Sequence, residues 1–408
     1  MKNLLFILTA ITLFSCASEE KVSVNPFGEF VIDLKISDSI YLPVEMKITE
    51  DRILIINAQE IIDCKNIYVS KDSIYGEFPV FNSYISGRFN SGAWEGYYHD
   101  PHRKEDYSIS FTSRQGNKFE FENSSFQIKE EYKVLFSNGT ENEYPALGLF
   151  EQNGNVINGT FRTETGDYRF LSGNVGLKEG KTVFALSCLD GSHAFLFNGE
   201  VTGEKIKGNF YSGNHWSTSF VGSIDENFEL SDPDTLTKYN EAYGDFDFSF
   251  PDLNGDTVVF SEKYKGDVAL IQIMGSWCPN CMDETRYLSG YYELFKDKGV
   301  NVIALAFERT EDFEKSRNAV QTLKQDVGAE YDFLIAGTSN KTKASDKLPM
   351  LSNILSFPTT LLINKSGKVV YIHTGFNGPS TGEEFESFKK YLEGFTYELL
   401  NPSKGEGQ

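Results

Sequence analysis

Two of the chain's five cysteines, Cys278 and Cys281, stand three positions apart in the segment GSWCPNC. Thiols at that spacing either hold a metal or trade electrons as a dithiol–disulfide couple. A zinc site needs about four ligands, usually from a second Cys-x-x-Cys or paired histidines. The five histidines (His99, His102, His193, His215, His373) offer no pair near the motif, and His99-Asp-Pro-His102 lies far away along the chain. The redox reading therefore leads, and no metal is expected. The apolar run VALIQIM ends just before the motif and an amphipathic run begins at it. Cys278 is expected at the helix start, where the dipole and unsatisfied N–H groups stabilise a thiolate. Cys281, one turn in, is shielded and can reach back. Pro279 suits the first helical turn, where its missing N–H costs nothing.

The elements that would position this pair follow from periodicity. VALIQIM, NVIALAF, DFLIAG, TTLLIN and VVYIHT are apolar runs of strand length, separated by helical patterns over 279–298, 311–327, 344–356 and 383–391. Alternating strands and helices indicate an α/β layer fold. Leu288, Tyr291, Tyr292 and Phe295 form one core-facing stripe on the first helix. Residues 27–230 read differently, as short alternating runs broken by Gly, Asn and Asp, hence an all-β antiparallel meander closed as a barrel or folded as a sandwich. An Ile-x-Gly-x-Phe echo recurs there at Ile85, Ile157 and Ile206, unevenly spaced and so not a solenoid. A lipocalin-like barrel is the nearest likeness. Residues 231–245 read as the linker, and 246–400 as the α/β domain.

GSWCPNC behind an apolar strand, with Phe357-Pro358-Thr359-Thr360 leading into LLINKSGKVVYIHTG, resembles the thioredoxin superfamily, and within it the TlpA/ResA-type disulfide reductases. The resemblance covers about residues 246–397. FDFSFPDLNGDTVVF resembles the family's N-terminal hairpin, and 310–357 its extra strand–helix insertion. It implies a cis peptide before Pro358 that lays the Phe357 backbone beside the thiols, with Trp277, Phe357 and Pro358 on the substrate side. It also implies that Cys278 attacks, that Cys281 resolves, that no cofactor is needed, and that a DsbD-like membrane donor restores the dithiol. The buried Asp of thioredoxin is replaced by Gln272, which does not titrate. Glu284 matches a family Glu and is the candidate for proton handling. The alternative for Glu284 is a solvated carboxylate favoured by the helix dipole.

The leader sets the compartment. Lys2 precedes an apolar stretch over 4–14, too short to cross a bilayer but suited to a secretory signal. Leu13-Phe14-Ser15-Cys16 resembles a lipobox, so residues 1–15 are expected to be a signal peptide, Cys16 to carry lipid, and 16–26 to form a tether. A lipid-anchored outer-membrane protein of Bacteroidetes type follows, on the periplasmic face. Ser18-Glu19-Glu20 resembles a surface-export tag and keeps the outer face open. The formal net charge of −21 repels nucleic acid and anionic surfaces. Cys64 and Cys188 are either buried strand cysteines or a disulfide. The expected activity is reduction of disulfides in exported proteins. The competing readings are a ligand- or client-binding lipoprotein centred on the β domain, and a thiol peroxidase.

Overall fold

The computed structural model describes residues 25–401 apart from His102 and Glu105. The leader and Cys16 lie outside the described residues. Where one meander is expected over 27–230, the chain builds two up-and-down sheets. In the first, nine strands from Gly28–Lys35 to Ser108–Arg114 follow chain order, and the first pairs with the last. This sheet stays open only between its edge strands Glu60–Asp63 and Lys65–Val69, on either side of Cys64. The second sheet, from Glu131–Phe136 to Trp216–Ser223, closes into an eight-stranded barrel through the pairing of those two strands, with the two-residue strand Gly166–Asp167 added at one side.

The barrel interior is filled. Phe136, Phe161, Phe197, Phe210 and Phe220 are buried there, Phe197 and Phe210 stacked with centroids 4.2 Å apart. Burying each such side chain contributes roughly 1.5–3 kcal/mol. The Ile-x-Gly-x-Phe echo has a physical cause in this packing. A Cβ on Gly208 would meet the Phe220 ring at 2.6 Å, and one on Gly159 would meet Phe150 at 2.8 Å. Glycine in the strand makes room for the neighbouring strand's ring. The two sheets interlock through Asn57, whose amide both donates to the Leu189 carbonyl and accepts from the Leu189 N–H at 3.0 Å.

The C-terminal part is the expected α/β layer. Its five strands lie in the order Asp332–Thr338, Val300–Glu308, Val268–Met274, Thr359–Ile363, Val369–Thr374, parallel across the first three and antiparallel across the last. Val268–Met274 is buried at every position, as a central strand covered on both faces requires. Leu288, Tyr291 and Phe295 of the helix Pro279–Phe295 are buried against it, while Tyr292 is only partly covered. The helix expected over 344–356 is instead Lys341–Lys347, capped by Asn340 and ending before Pro349, and the last helix extends over Glu383–Leu400. Residues 231–245 do not hang free. The Thr374 N–H donates to the Pro233 carbonyl, the Thr374 and Thr237 hydroxyls meet at 2.8 Å, and the Asn240 N–H donates to Met350. Val80 and Phe81, from the connection between strands Ser73–Glu77 and Tyr84–Asn90 of the first sheet, sit in the α/β core. Among the described residues, no helix is long and apolar enough to cross a membrane.

Candidate active site

Cys278 caps the helix Pro279–Phe295 in extended conformation, and its sulfur accepts the Cys281 N–H at 3.3 Å. The same thiol lies 3.4 Å from the Phe357 carbonyl, to which it donates. The Phe357–Pro358 peptide is cis. Trp277 sets its ring edge-on to Phe357 at 5.7 Å and donates from Nε1 to the Phe307 carbonyl. Cys278, Trp277, Phe357 and Pro358 thus converge on one spot. Cys278 is 7 % exposed and lines a pocket, whereas Cys281 is 0 % exposed, so of the two only Cys278 can be reached from solvent. Burial, then the adjacent Cys278 thiol, hold the Cys281 thiol well above the ordinary range. That combination permits attack from Cys278 and internal resolution by Cys281.

Glu284 sits behind Cys281 and is fully buried, which overturns the solvated alternative. The Gln272 amide bridges, donating to Glu284 Oε2 at 2.8 Å and to the Cys281 carbonyl at 3.2 Å. The Thr360 hydroxyl donates to Oε1 at 2.6 Å. Burial pushes the carboxyl up to about 7, against the pull of those two hydrogen bonds. Glu284 can therefore hold or release a proton near neutral pH, linked to the Cys281 carbonyl through the Gln272 side-chain amide. Cys64 and Cys188 are free thiols buried in two different cores, so the disulfide alternative for them falls. Burial pushes the Cys64 thiol up to about 12 and Cys188 higher still. Both are unreactive core residues. Among the described residues, no cluster of His, Cys, Asp and Glu could hold a metal ion.

Several site residues escape sequence reasoning. Arg169, in the barrel, is 2 % exposed and reaches the catalytic helix, donating to the Pro279 carbonyl at 3.2 Å and to Asp283. It also pairs with Asp190 at 3.1 Å and with Glu60 of the first sheet. One guanidinium thus joins both β sheets to the turn between the two thiols. The carboxylates hold it charged, and Asp283 is pushed up to about 6 by burial despite Arg169. Nothing in the sequence marks this contact, since Arg169 and Asp283 lie 114 positions apart. Glu308, also buried, accepts from the Ser276 N–H at 2.8 Å and the Ser276 hydroxyl at 2.7 Å, fixing the segment before Trp277. Cys278 forms part of the floor of a pocket of about 560 Å³ that is walled by Trp277 and Phe357 on one side and by barrel residues Tyr144, Thr165 and Tyr168 on the other.

A model of the Redoxin family matches residues 243–392. The thiol-disulfide oxidoreductase ResA of Bacillus subtilis (strain 168) is 30% identical over 128 residues, 31% of this chain and 64% of the relative. ResA of one Bacillus cereus strain is 30% identical over 141 residues, covering 35% of this chain and 72% of that one. The chain thus spans just under two thirds of the first relative's length. Solved structures that align include a thiol:disulfide interchange protein of Chlorobium tepidum TLS (19% identity, 38% of this chain and 93% of that one, TM-score 0.29). A DsbF homologue of Corynebacterium diphtheriae aligns at 18% identity over 41% of this chain and 98% of that one, TM-score 0.30.

Proposed function

The chain belongs, through residues 243–392, to the ResA-type thiol-disulfide oxidoreductases of the thioredoxin superfamily, and on that premise we propose that it is an extracytoplasmic disulfide reductase acting on exported proteins. The observation that carries this reading is Cys278, the one reachable thiol among the described residues, held at a helix start beside the Phe357 carbonyl with a buried second thiol behind it. The Cys278 thiolate attacks one sulfur of a substrate disulfide and expels the other as a thiolate, leaving a mixed disulfide. Cys281 then loses its proton and attacks the Cys278 sulfur, and the second substrate thiol departs. The substrate gains two electrons and two protons, and the protein is left with a Cys278–Cys281 disulfide. Glu284, whose carboxylate shares the Gln272 amide with the Cys281 carbonyl, takes the proton that Cys281 must shed. A DsbD-like membrane donor returns the dithiol, and lipid on Cys16 tethers the protein to the outer membrane, on its periplasmic face.

The barrel's packed aromatic interior supports a scaffold role over enclosure of a ligand. The test is stoichiometric. Pre-reduced protein, freed of reductant, should consume one equivalent of a cystine-bearing peptide and gain one disulfide, and Cys278→Ala should consume none. Equal consumption by Cys278→Ala, or none by the wild type, would overturn the reading.

A further inference from the structure

Cys278 does not open onto a free surface. The loop around Phe357 offers the backbone groups beside the thiol along which a substrate chain could lie, and a barrel turn already covers that loop. The Ser356 hydroxyl donates to the Thr165 carbonyl at 3.2 Å, and Gly166 bridges to Phe376. The Asn280 amide donates to the carbonyls of Asp167 and Phe376, and the Gly378 N–H donates to the Asp167 carboxylate at 2.7 Å. The approach is so close that a Cβ on Gly375 would lie 2.6 Å from the Thr165 carbonyl. On the far side a second barrel turn touches the site, Ser192 donating to the Trp277 carbonyl at 3.4 Å.

What remains is the pocket of about 560 Å³, within the range of small-ligand sites, roughly 300–1,000 Å³. The face of a folded protein, on the order of 800 Å² per partner, has no route to the sulfur. The pocket rim carries one cation without an ion-pair partner among the described residues. Arg309 lies over the Trp277 ring at 5.2 Å, while the nearby acids are engaged elsewhere, Asp100 with Arg103 and Glu308 with Ser276.

Deepening the reductase reading on which it rests, we propose that the barrel acts as a size filter. It admits disulfides borne on a thin unit, either a free low-molecular-weight disulfide or a single extended chain, with a carboxylate beside the disulfide held by Arg309. The chemistry is unchanged: the dithiol gives two electrons, the S–S bond of the thin substrate breaks, and two thiols leave.

The experiment compares initial rates of the full-length protein on oxidised glutathione, cystamine, a short unfolded peptide with one disulfide, and folded insulin. A folded client must wait for an undocked minor state, populated at the ~1% level, and is therefore expected to react about 10²-fold more slowly than the thin substrates. Oxidised glutathione is expected to outpace cystamine, and Arg309→Gln to lower that ratio about fivefold, as for one partly exposed ion pair. The faster of glutathione and peptide identifies the source of the thin disulfide. Insulin within a few-fold of the thin substrates would overturn the filter, and an unchanged glutathione-to-cystamine ratio in Arg309→Gln would overturn the carboxylate contact. Reduction of none of the four would instead sink the reductase reading beneath it.

Discussion

At the scale of single residues, Glu284 carries the sharpest consequence. Its folded-state value of about 7 lies above the ordinary 4.5, so the unfolded chain ionises first as pH rises. Stability is lost progressively from about pH 4.5 and the loss is complete above about pH 7. Glu284→Gln removes that loss, so the difference between variant and wild type should move in the variant's favour by about 2–3 kcal/mol from pH 5 to pH 8. Denaturant titrations at the two pH values check this, and a flat difference would mean that the carboxyl is not strained by burial. Turnover should fall roughly 10–10³-fold, and the pH–rate profile should lose its limb near neutrality. That the thiol pair, Trp277 and Phe357-Pro358 come together was legible in the sequence, because it follows from local order and spacing. The burial of Glu284 was not, because first-turn position says nothing about which side of the helix faces the sheet. The bridge from Gln272 to Cys281 and Glu284 exists only once strand and helix are packed.

At the scale of elements, the start of the catalytic helix is held by Arg169. Substituting Arg169→Met would leave Asp283, Glu60 and Asp190 buried without their shared cation, at a cost of about 3–5 kcal/mol. Asp283 already sits near 6, above the ordinary 3.8, and would rise further. A carboxyl raised in the folded state costs stability as pH climbs through that range, so the variant's deficit should be smallest near pH 4 and largest above pH 6. Thermal melts across that window test the sign, and a deficit that grew toward acid would contradict it. Arg169→Lys should recover charge but not the multiple contacts, so only partial rescue is expected. Strands and helices were mostly legible, since periods of two and of three to four declare themselves in Val268–Met274 and Pro279–Phe295. Lys341–Lys347 was misplaced because apolar residues 348–355 pack as an irregular segment after Leu348, where Pro349 forbids helix.

At the scale of the whole molecule, the two β sheets behave as part of the site's walls. A closed barrel was among the shapes the alternation allowed, but the division into two sheets was not legible, because which strands pair first with last is a long-range choice that alternation alone leaves open. A chain beginning at residue 241 keeps the five-stranded sheet but loses Val80, Phe81 and Arg169 from its packing. It is expected to fold with lowered stability and to reduce insulin faster per molecule than the full chain, because Cys278 is then uncovered. A slower truncated protein would mean that the barrel contributes to catalysis beyond limiting access. The central claim, that Cys278 attacks and Cys281 resolves, has one direct test. Each cysteine-to-serine variant of the full chain is incubated with a cystine-bearing peptide, quenched by alkylation, and weighed by intact mass spectrometry. The account predicts a stable peptide adduct on Cys278 in Cys281→Ser and almost none in Cys278→Ser, and equal adducts in both variants would contradict it.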